Sequence, residues 1–178
     1  MVQNLERLAD LIRQRNALEI EITKITGRPA GIGSIGEYLG AQIFRVELAP
    51  SATHKGSDGR FQGGPLHGAA VEIKCYPKRE GLLDMKIVEP VPDYYLVLTG
   101  PKGTAISSRG QPRPWCIAAV YLFNARELAA AQRARGVAIG IASSIPNALW
   151  DAAEIYPKPQ NPALTLSDDQ RHLLELFA

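Results

Sequence analysis

Residues Tyr94–Thr99 read YYLVLT, a run that is apolar almost throughout. A strand of this kind is typical of a sheet covered on both faces, because a half-exposed strand alternates apolar with polar side chains. Trp115–Phe123 and Val137–Ala142 have the same character and are predicted to be further buried strands. The chain must therefore supply covering layers for both faces of a sheet.

Helices that can form these layers are indicated by apolar residues at three- and four-residue spacing. The first is predicted over Leu5–Ile25, and Gly27 and Pro29 end it. This helix is expected either to cap the sheet or to pair with a second copy of the chain in a homodimer. We expect Ser34 to cap a second helix over Ile35–Phe44. Later helices are predicted from Asn124 to Arg135, over Ile145–Glu154, and from a capping box at Ser167 to Phe177.

Shorter strands are predicted at Arg45–Leu48, Ser57–Phe61 and Ala69–Tyr76. The order is helices, then a run of strands, then alternating helix and strand. This order indicates an α/β domain, in which a mixed β-sheet is flanked by helices. We assign residues 1–156 to this single domain, and residues 157–178 to a linker and a C-terminal helix that packs on it.

The composition narrows the class of protein. The 20 basic and 18 acidic residues give a net charge of +2, which excludes a histone-like or strongly acidic chain but not a nucleic-acid-binding protein. Cys75 and Cys116 form no CxxC pair and are expected to be reduced thiols. The charged N-terminal segment argues against a signal peptide, and the longest uncharged stretch, Gly136–Trp150, is too short to span a bilayer. We therefore expect a cytoplasmic protein with no membrane partner.

Two of the predicted strands form a β-hairpin around the glycine-rich turn Gln62–Gly68. Residues two apart on a strand share a face, so Glu72 and Lys74 point the same way. Burying charged side chains in an apolar strand costs free energy, so they are expected to have partners or a function. The hairpin brings Asp58 alongside them, so two carboxylates and one ammonium group are predicted to converge.

Such a trio suits the metal-dependent hydrolysis of phosphodiesters. Carboxylate oxygens are the usual ligands of Mg²⁺, which also keeps waters and contacts a substrate phosphate. A bound metal polarises the phosphate and lowers the pKa of its water. A neighbouring lysine can orient that water or offset the charge that develops in the transition state.

An acid on a helix, followed by an aspartate, a spacer and Glu-x-Lys on a strand, resembles the PD-(D/E)xK nuclease superfamily. The resemblance covers about residues 35–123 and implies a restriction-endonuclease-like fold, Mg²⁺ or Mn²⁺ as cofactor and nucleic acid, notably DNA, as substrate of an endonuclease. It implies that Asp58, Glu72 and the backbone carbonyl of Ile73 bind the metal. It further implies that Lys74 is the catalytic lysine and that Glu37, on the second predicted helix, is an accessory acid.

Other interpretations stay open. Ser57 stands where that superfamily has its name-giving proline, and the chain as a whole also resembles a small bacterial family without an established activity. Glu72 and Lys74 also fit a solvated strand face, and Glu37 fits an ordinary helix-surface acid. A second D-x-K pattern at Asp84–Lys86 is interpreted as a surface salt bridge or a substrate contact. The alternative function is a catalytically inactive nuclease-like module that binds nucleic acid or a protein partner.

Basic residues supply candidate contacts to nucleic acid. Residues 94–150 contain six basic residues against one acidic residue. The Gly- and Ser-rich loop Gly100–Pro114 is expected either to lie along a phosphate backbone or to form a solvated basic surface. The candidate contacts are Lys55, Lys102, Arg109 and Arg113.

Overall fold

The structure is a computed structural model that describes residues 2–50, 56–86, 89–103 and 114–178. The helices in these ranges are α1 (Val2–Thr26), α2 (Ile32–Phe44), α3 (Ala125–Ala134), α4 (Asn147–Ala153) and α5 (Asp168–Glu175). The strands are β1 (Val46–Leu48), β2 (Gly59–Phe61), β3 (Ala70–Tyr76), β4 (Leu82–Leu83), β5 (Tyr94–Thr99), β6 (Ala119–Asn124), β7 (Ser143–Ser144) and β8 (Glu154–Tyr156).

A six-stranded mixed sheet, in the order β1-β2-β3-β5-β6-β8, forms the centre of the fold. The neighbours β1, β2 and β3 are antiparallel, whereas β3 and β5 run parallel. Further along, β6 is antiparallel to both β5 and β8. The parallel pair requires a crossover from the end of β3 to the start of β5. That crossover carries β4, which pairs with β7 in a separate two-stranded sheet.

Two apolar cores cover the two faces of the central sheet. One lies on the side of α2 and α5 and includes Phe44, Ile73 and Leu174. The other lies on the side of α3 and α4 and includes Tyr95 and Trp150. The chain is therefore a single-domain α/β fold with a mixed sheet flanked by helices, which confirms the α/β class predicted from the order of helices and strands.

Glycines bring α2 into close contact with β3. A Cβ added to Gly40 would lie 2.9 Å from Ile73 Cδ1, and one added to Gly36 would overlap the Cβ of Cys75. Side chains of ordinary size at these two positions would hold the helix away from the strand. The close packing therefore fixes the position of Glu37, which follows Gly36 on α2, relative to β3.

The predicted strand at Val137–Ala142 is wrong. These residues form an irregular segment in which Ala142 has a positive φ of 55° and Ile141 is 89% exposed. The Gly140 carbonyl accepts a hydrogen bond from the N–H of Met85 at 3.0 Å, and strand pairing begins only at β7. A short apolar run has the same composition in a strand as in a loop that packs on a core, so periodicity does not distinguish the two.

The start of α2 also differs from the prediction. Gly31 is the N-cap, no side chain caps it, and Ser34 lies in the first turn. Gly31 has an extended backbone and its carbonyl accepts the N–H of Ile35 at 3.0 Å, so the helix begins without a capping hydroxyl. The side chains of Asn124 and Ser167 do cap α3 and α5 as predicted.

The C-terminal helix is anchored to α2. Gln170 Nε2 donates to the carbonyl of Ile43 at 2.9 Å, and Leu174 is fully buried. By contrast, α1 leaves most of its side chains exposed. Across the described ranges, no helix combines the length and the apolar character needed to cross a membrane.

Candidate active site

Asp58 lies where the pairing of β2 with β3 ends. Its N–H donates to the carbonyl of Val71 at 2.9 Å, and its Oδ2 accepts a hydrogen bond from the N–H of Ile73 at 2.7 Å. Because the N–H and C=O groups of one strand residue face the same neighbour, the Ile73 carbonyl also points to this side. The hairpin therefore ties the Asp58 carboxylate to the strand that carries Glu72 and Lys74, as predicted.

Glu72 and Lys74 form a partly buried ion pair on one face of β3. Glu72 Oε1 lies 2.8 Å from Lys74 Nζ. The alternate residues Val71 and Ile73 belong to the core on the α2 side. Glu72 is only 4% exposed, so its charge would be strongly unfavourable without a partner. This burial excludes the interpretation of Glu72 as part of a solvated strand face.

Lys86 brings a second ammonium group to Glu72, which the sequence interpretation did not assign to the site. Its Nζ lies 2.7 Å from Glu72 Oε2. Two tyrosine hydroxyls hold this segment: Tyr95 accepts the N–H of Lys86 at 2.9 Å, and Tyr76 accepts the N–H of Asp84 at 3.1 Å. The signal in the sequence was the charged–apolar–charged pattern of residues 84–86, which does not identify the partner of either charge.

The electrostatics of the site set Asp58 apart. Burial, followed by the charge of Glu72, raises the pKa of Asp58 from 3.8 to about 6. Burial by itself would lower the pKa of Lys74, but the hydrogen bond and the charge of Glu72 outweigh it, so that this pKa is raised. Near neutral pH, Lys74 is therefore cationic. The pKa of Asp58 lies only slightly below neutral pH, so this carboxylate takes up a proton when the pH falls slightly.

Glu37 acts on the site from α2. Its charge adds to the rise in the pKa of Asp58, and its Oε2 forms an ion pair with Arg28 Nη1 in the segment between α1 and α2. In the part of the chain that the structure describes, no three His, Cys, Asp or Glu side chains are grouped so as to hold a metal ion. Glu37 is therefore not placed as a third direct ligand beside Asp58 and Glu72.

The donor set at this point of the sheet fits a hard divalent cation. The carboxylates of Asp58 and Glu72 and the carbonyl of Ile73 are oxygen donors, and a set of three leaves positions for water, as Mg²⁺ prefers. Burial and then the charge of Glu72 raise the pKa of Asp58, and a cation between the two carboxylates would offset both effects. Both oxygens of Glu72 already contact ammonium groups. A cation bound there would therefore have to share one oxygen with a lysine or displace that lysine.

A cleft of about 680 Å³ opens beside the site. Lys86 and Tyr95 line it on the side of Glu72, and Arg126 and Arg133 of α3 line it further away. Among the described residues of the lining, Glu89 is acidic and three, Lys86, Arg126 and Arg133, are basic. Lys86, which contacts Glu72 Oε2, therefore connects this basic cleft to the buried carboxylate.

None of the four candidate nucleic-acid contacts is among the described residues that line this cleft. Lys102 is exposed, and its backbone forms a β-bridge with Arg79. It does not line the cleft. Lys55, Arg109 and Arg113 lie outside the described residues. The sequence interpretation did not select Arg126 and Arg133 because their approach to the site depends on how α3 packs.

Comparisons with protein-family models and with curated proteins give no match to this chain.

Proposed function

We propose that this protein is a metal-dependent phosphodiesterase that cleaves nucleic acid, as a DNA endonuclease with a restriction-endonuclease-like fold. The observation that carries the proposal is the Asp58 carboxylate, bonded to the N–H of Ile73 beside the buried pair of Glu72 and Lys74. An acid-bearing helix, the hairpin and Glu-x-Lys on its second strand follow in the order that resembles the PD-(D/E)xK superfamily.

Each residue of the site has a separate role in the proposed hydrolysis. Asp58, Glu72 and the carbonyl of Ile73 would hold the cation. A bound Mg²⁺ or Mn²⁺ supplies a Lewis acid for the phosphate and lowers the pKa of a coordinated water. Lys74 remains protonated, because Glu72 raises its pKa, and it therefore orients the attacking water or offsets developing negative charge.

The basic lining of the cleft beside Lys86 favours a polyanion as the substrate. Its basic residues Lys86, Arg126 and Arg133 can contact phosphates, which fix the register of a nucleic acid without reading its sequence. Lys86 reaches both this cleft and Glu72 Oε2. We assign it to the phosphate that lies next to the scissile bond, where its charge would move from Glu72 to the substrate.

The proposal is tested by incubating the purified chain with duplex DNA, single-stranded DNA and RNA in Mg²⁺, in Mn²⁺ and in EDTA. We expect cleavage that requires the metal and that falls by about 100-fold or more in Asp58→Asn, Glu72→Gln and Lys74→Met. Glu47→Gln, an exposed acid on neighbouring β1, is the matched control and should cut at the native rate. Native-rate cleavage by Glu72→Gln would exclude this site as the catalytic centre.

The second candidate function is a nuclease-like module that binds nucleic acid without cleaving it. The observation that favours it is the charge balance of the site, in which Lys74 and Lys86 already neutralise both oxygens of the buried Glu72. Such a module needs no cation for its stability. Binding of DNA that persists in EDTA, together with intact substrate in every metal, identifies this function.

A further inference from the structure

The long helix α1 exposes an apolar face that the rest of the described chain does not cover. Leu8, Leu11, Leu18 and Ile25 are 52%, 44%, 64% and 70% exposed. An isolated helix is of marginal stability in water, and most helices in proteins depend on packing of an apolar face. An exposed set of large apolar side chains along one helix marks an interaction surface. We call this surface, with Ile22 included, the α1 stripe.

The spacing of the α1 stripe indicates the shape of its partner. Its members and Arg15 stand at positions 8, 11, 15, 18, 22 and 25, so that intervals of three and four residues alternate. This repeat of 3.5 residues is the heptad pattern with which one helix packs its side chains into the gaps of another. Arg15 takes one core position of the pattern. A second helix with the same repeat therefore fits the stripe better than a flat protein surface does.

The charge of α1 limits the class of partner further. The helix contains four basic and four acidic residues. Surface helices that bind anionic membranes, and segments that bind nucleic acid, need an excess of basic residues on their polar face. A neutral helix with a heptad stripe instead suits another neutral helix, and a second copy of this chain provides one.

We propose that two copies of the chain associate through an antiparallel coiled coil of their α1 helices. In a parallel pair, Arg15 of one copy would face Arg15 of the other in the same core layer, which is repulsive. In the antiparallel pair, Leu8 faces Ile25 of the second copy and Leu11 faces Ile22. Arg15 then lies opposite Leu18 and close to Glu19 of the second copy.

The contact of Glu19 Oε1 with Arg15 Nη2 within one helix, at 2.7 Å, is compatible with either orientation. The placement of the two domains favours the antiparallel one. The remainder of each chain continues from the C-terminal end of α1. A helix of this length is about 37 Å long, so the antiparallel pair keeps the two domains at opposite ends, where they do not collide.

The oligomeric state tests the association. We expect the native chain to sediment as a dimer, and the variant with Leu11→Glu and Leu18→Glu to sediment as a monomer. Ile20→Glu is the matched control, because Ile20 is 56% exposed on the opposite side of the same helix. It should remain dimeric. Both variants leave the two cores intact, which an unchanged urea transition of the domain verifies. A monomeric native chain, or a monomeric Ile20→Glu variant, would overturn the proposal.

Disulfide trapping tests the orientation. Leu11→Cys and Ile22→Cys are prepared separately, with the native chain as control for Cys75 and Cys116. In the antiparallel pair, two copies of residue 11 are about 16 Å apart, too far for a disulfide. We therefore expect covalent dimers only when the two variants are mixed and oxidised. Covalent dimers of Leu11→Cys alone would overturn the antiparallel arrangement.

Discussion

Lys86 Nζ lies 2.7 Å from Glu72 Oε2, on the oxygen that Lys74 leaves free. The two lysines come from different parts of the chain, because Lys74 belongs to β3 and Lys86 follows β4. A single buried carboxylate is thus neutralised from two directions. This arrangement makes Glu72 the centre of the site, and it determines how substitutions there should behave.

The two lysines should be energetically coupled. After one is replaced by methionine, the other still neutralises Glu72, whereas loss of both leaves a buried charge without a partner. We expect the double variant, Lys74→Met with Lys86→Met, to lose about 1–3 kcal/mol more unfolding free energy than the two single variants together. Urea titrations of the four proteins measure this coupling. In a Glu72→Gln background the coupling should vanish, and additive effects in the native background would contradict the prediction.

Replacing Asp58 by asparagine should stabilise the protein at neutral pH. The folded pKa of about 6 lies above the ordinary value of 3.8, so the folded state binds the proton more tightly than the unfolded state. The native chain therefore loses stability as the pH rises from about 4 to 6 and stays at that lower level above 6. With allowance for the partial exposure of Asp58, the gain in Asp58→Asn is about 1–2 kcal/mol at pH 8 and close to zero at pH 4. Urea unfolding at both pH values measures it, and an equal difference at pH 4 and pH 8 would contradict the assignment.

Cation binding should follow the ionisation of Asp58. Below a pH of about 6 the carboxyl is mostly protonated, and each further unit lowers the ionised fraction about tenfold. Calorimetry with Mn²⁺ should therefore show an affinity that rises by about tenfold from pH 5 to pH 7 and levels off above that range. The Asp58→Asn variant serves as the control, because its residual binding should lack this rise.

The cleft should bind phosphates through α3. We expect Arg126→Gln with Arg133→Gln to weaken binding of duplex DNA and to lower the salt dependence of log K by about 2, since each phosphate contact contributes about 0.9. Arg13→Gln with Lys24→Gln removes the same charge from exposed positions on α1 and is the matched control. Fluorescence anisotropy in EDTA at several salt concentrations measures both. Equal losses in the two double variants would indicate a nonspecific effect of net charge.

Gly36 should tolerate no side chain, whereas Gly33 on the same helix should benefit from one. A Cβ at Gly36 would overlap Cys75, and one at Gly33 meets nothing within 4 Å. We expect Gly36→Ala to cost about 1–3 kcal/mol and Gly33→Ala to add about 0.5–1 kcal/mol of stability. Thermal unfolding of both variants tests the contact between α2 and β3. A stable Gly36→Ala variant would show that α2 can move away from β3 without penalty.

Local sequence patterns predicted a large part of the fold and of the site. The turn chemistry between the hairpin strands and the two-residue alternation along β3 placed Asp58, Glu72 and Lys74 together. Both are short-range properties, because a turn and a strand fix the direction of neighbouring side chains whatever the rest of the chain does. The apolar run at Tyr94–Thr99 likewise predicted a sheet covered on both faces, and the structure has a core on each side.

Short apolar segments were less informative. Val137–Ala142 has the composition of a buried strand but turns irregularly beside the crossover between β3 and β5. Ser34 is a good capping residue, yet α2 begins three residues earlier than predicted, at Ile32. At Val137–Ala142 the irregular path accompanies a hydrogen bond from the distant Met85 N–H to the Gly140 carbonyl and a positive φ at Ala142. At α2 the backbone of Gly31 starts the helix without a capping side chain.

The helices, the hairpin and the convergence of two carboxylates with one lysine depend on residues close together in the chain, and local patterns therefore predict them. The contact of Lys86 with Glu72, the pairing of Arg28 with Glu37 and the basic cleft beside α3 arise only when distant segments pack together. These contacts depend on how the crossover and the helices pack against the sheet. The rise in the pKa of Asp58 has the same origin, since burial and the approach of Glu72 exist only after the chain has folded.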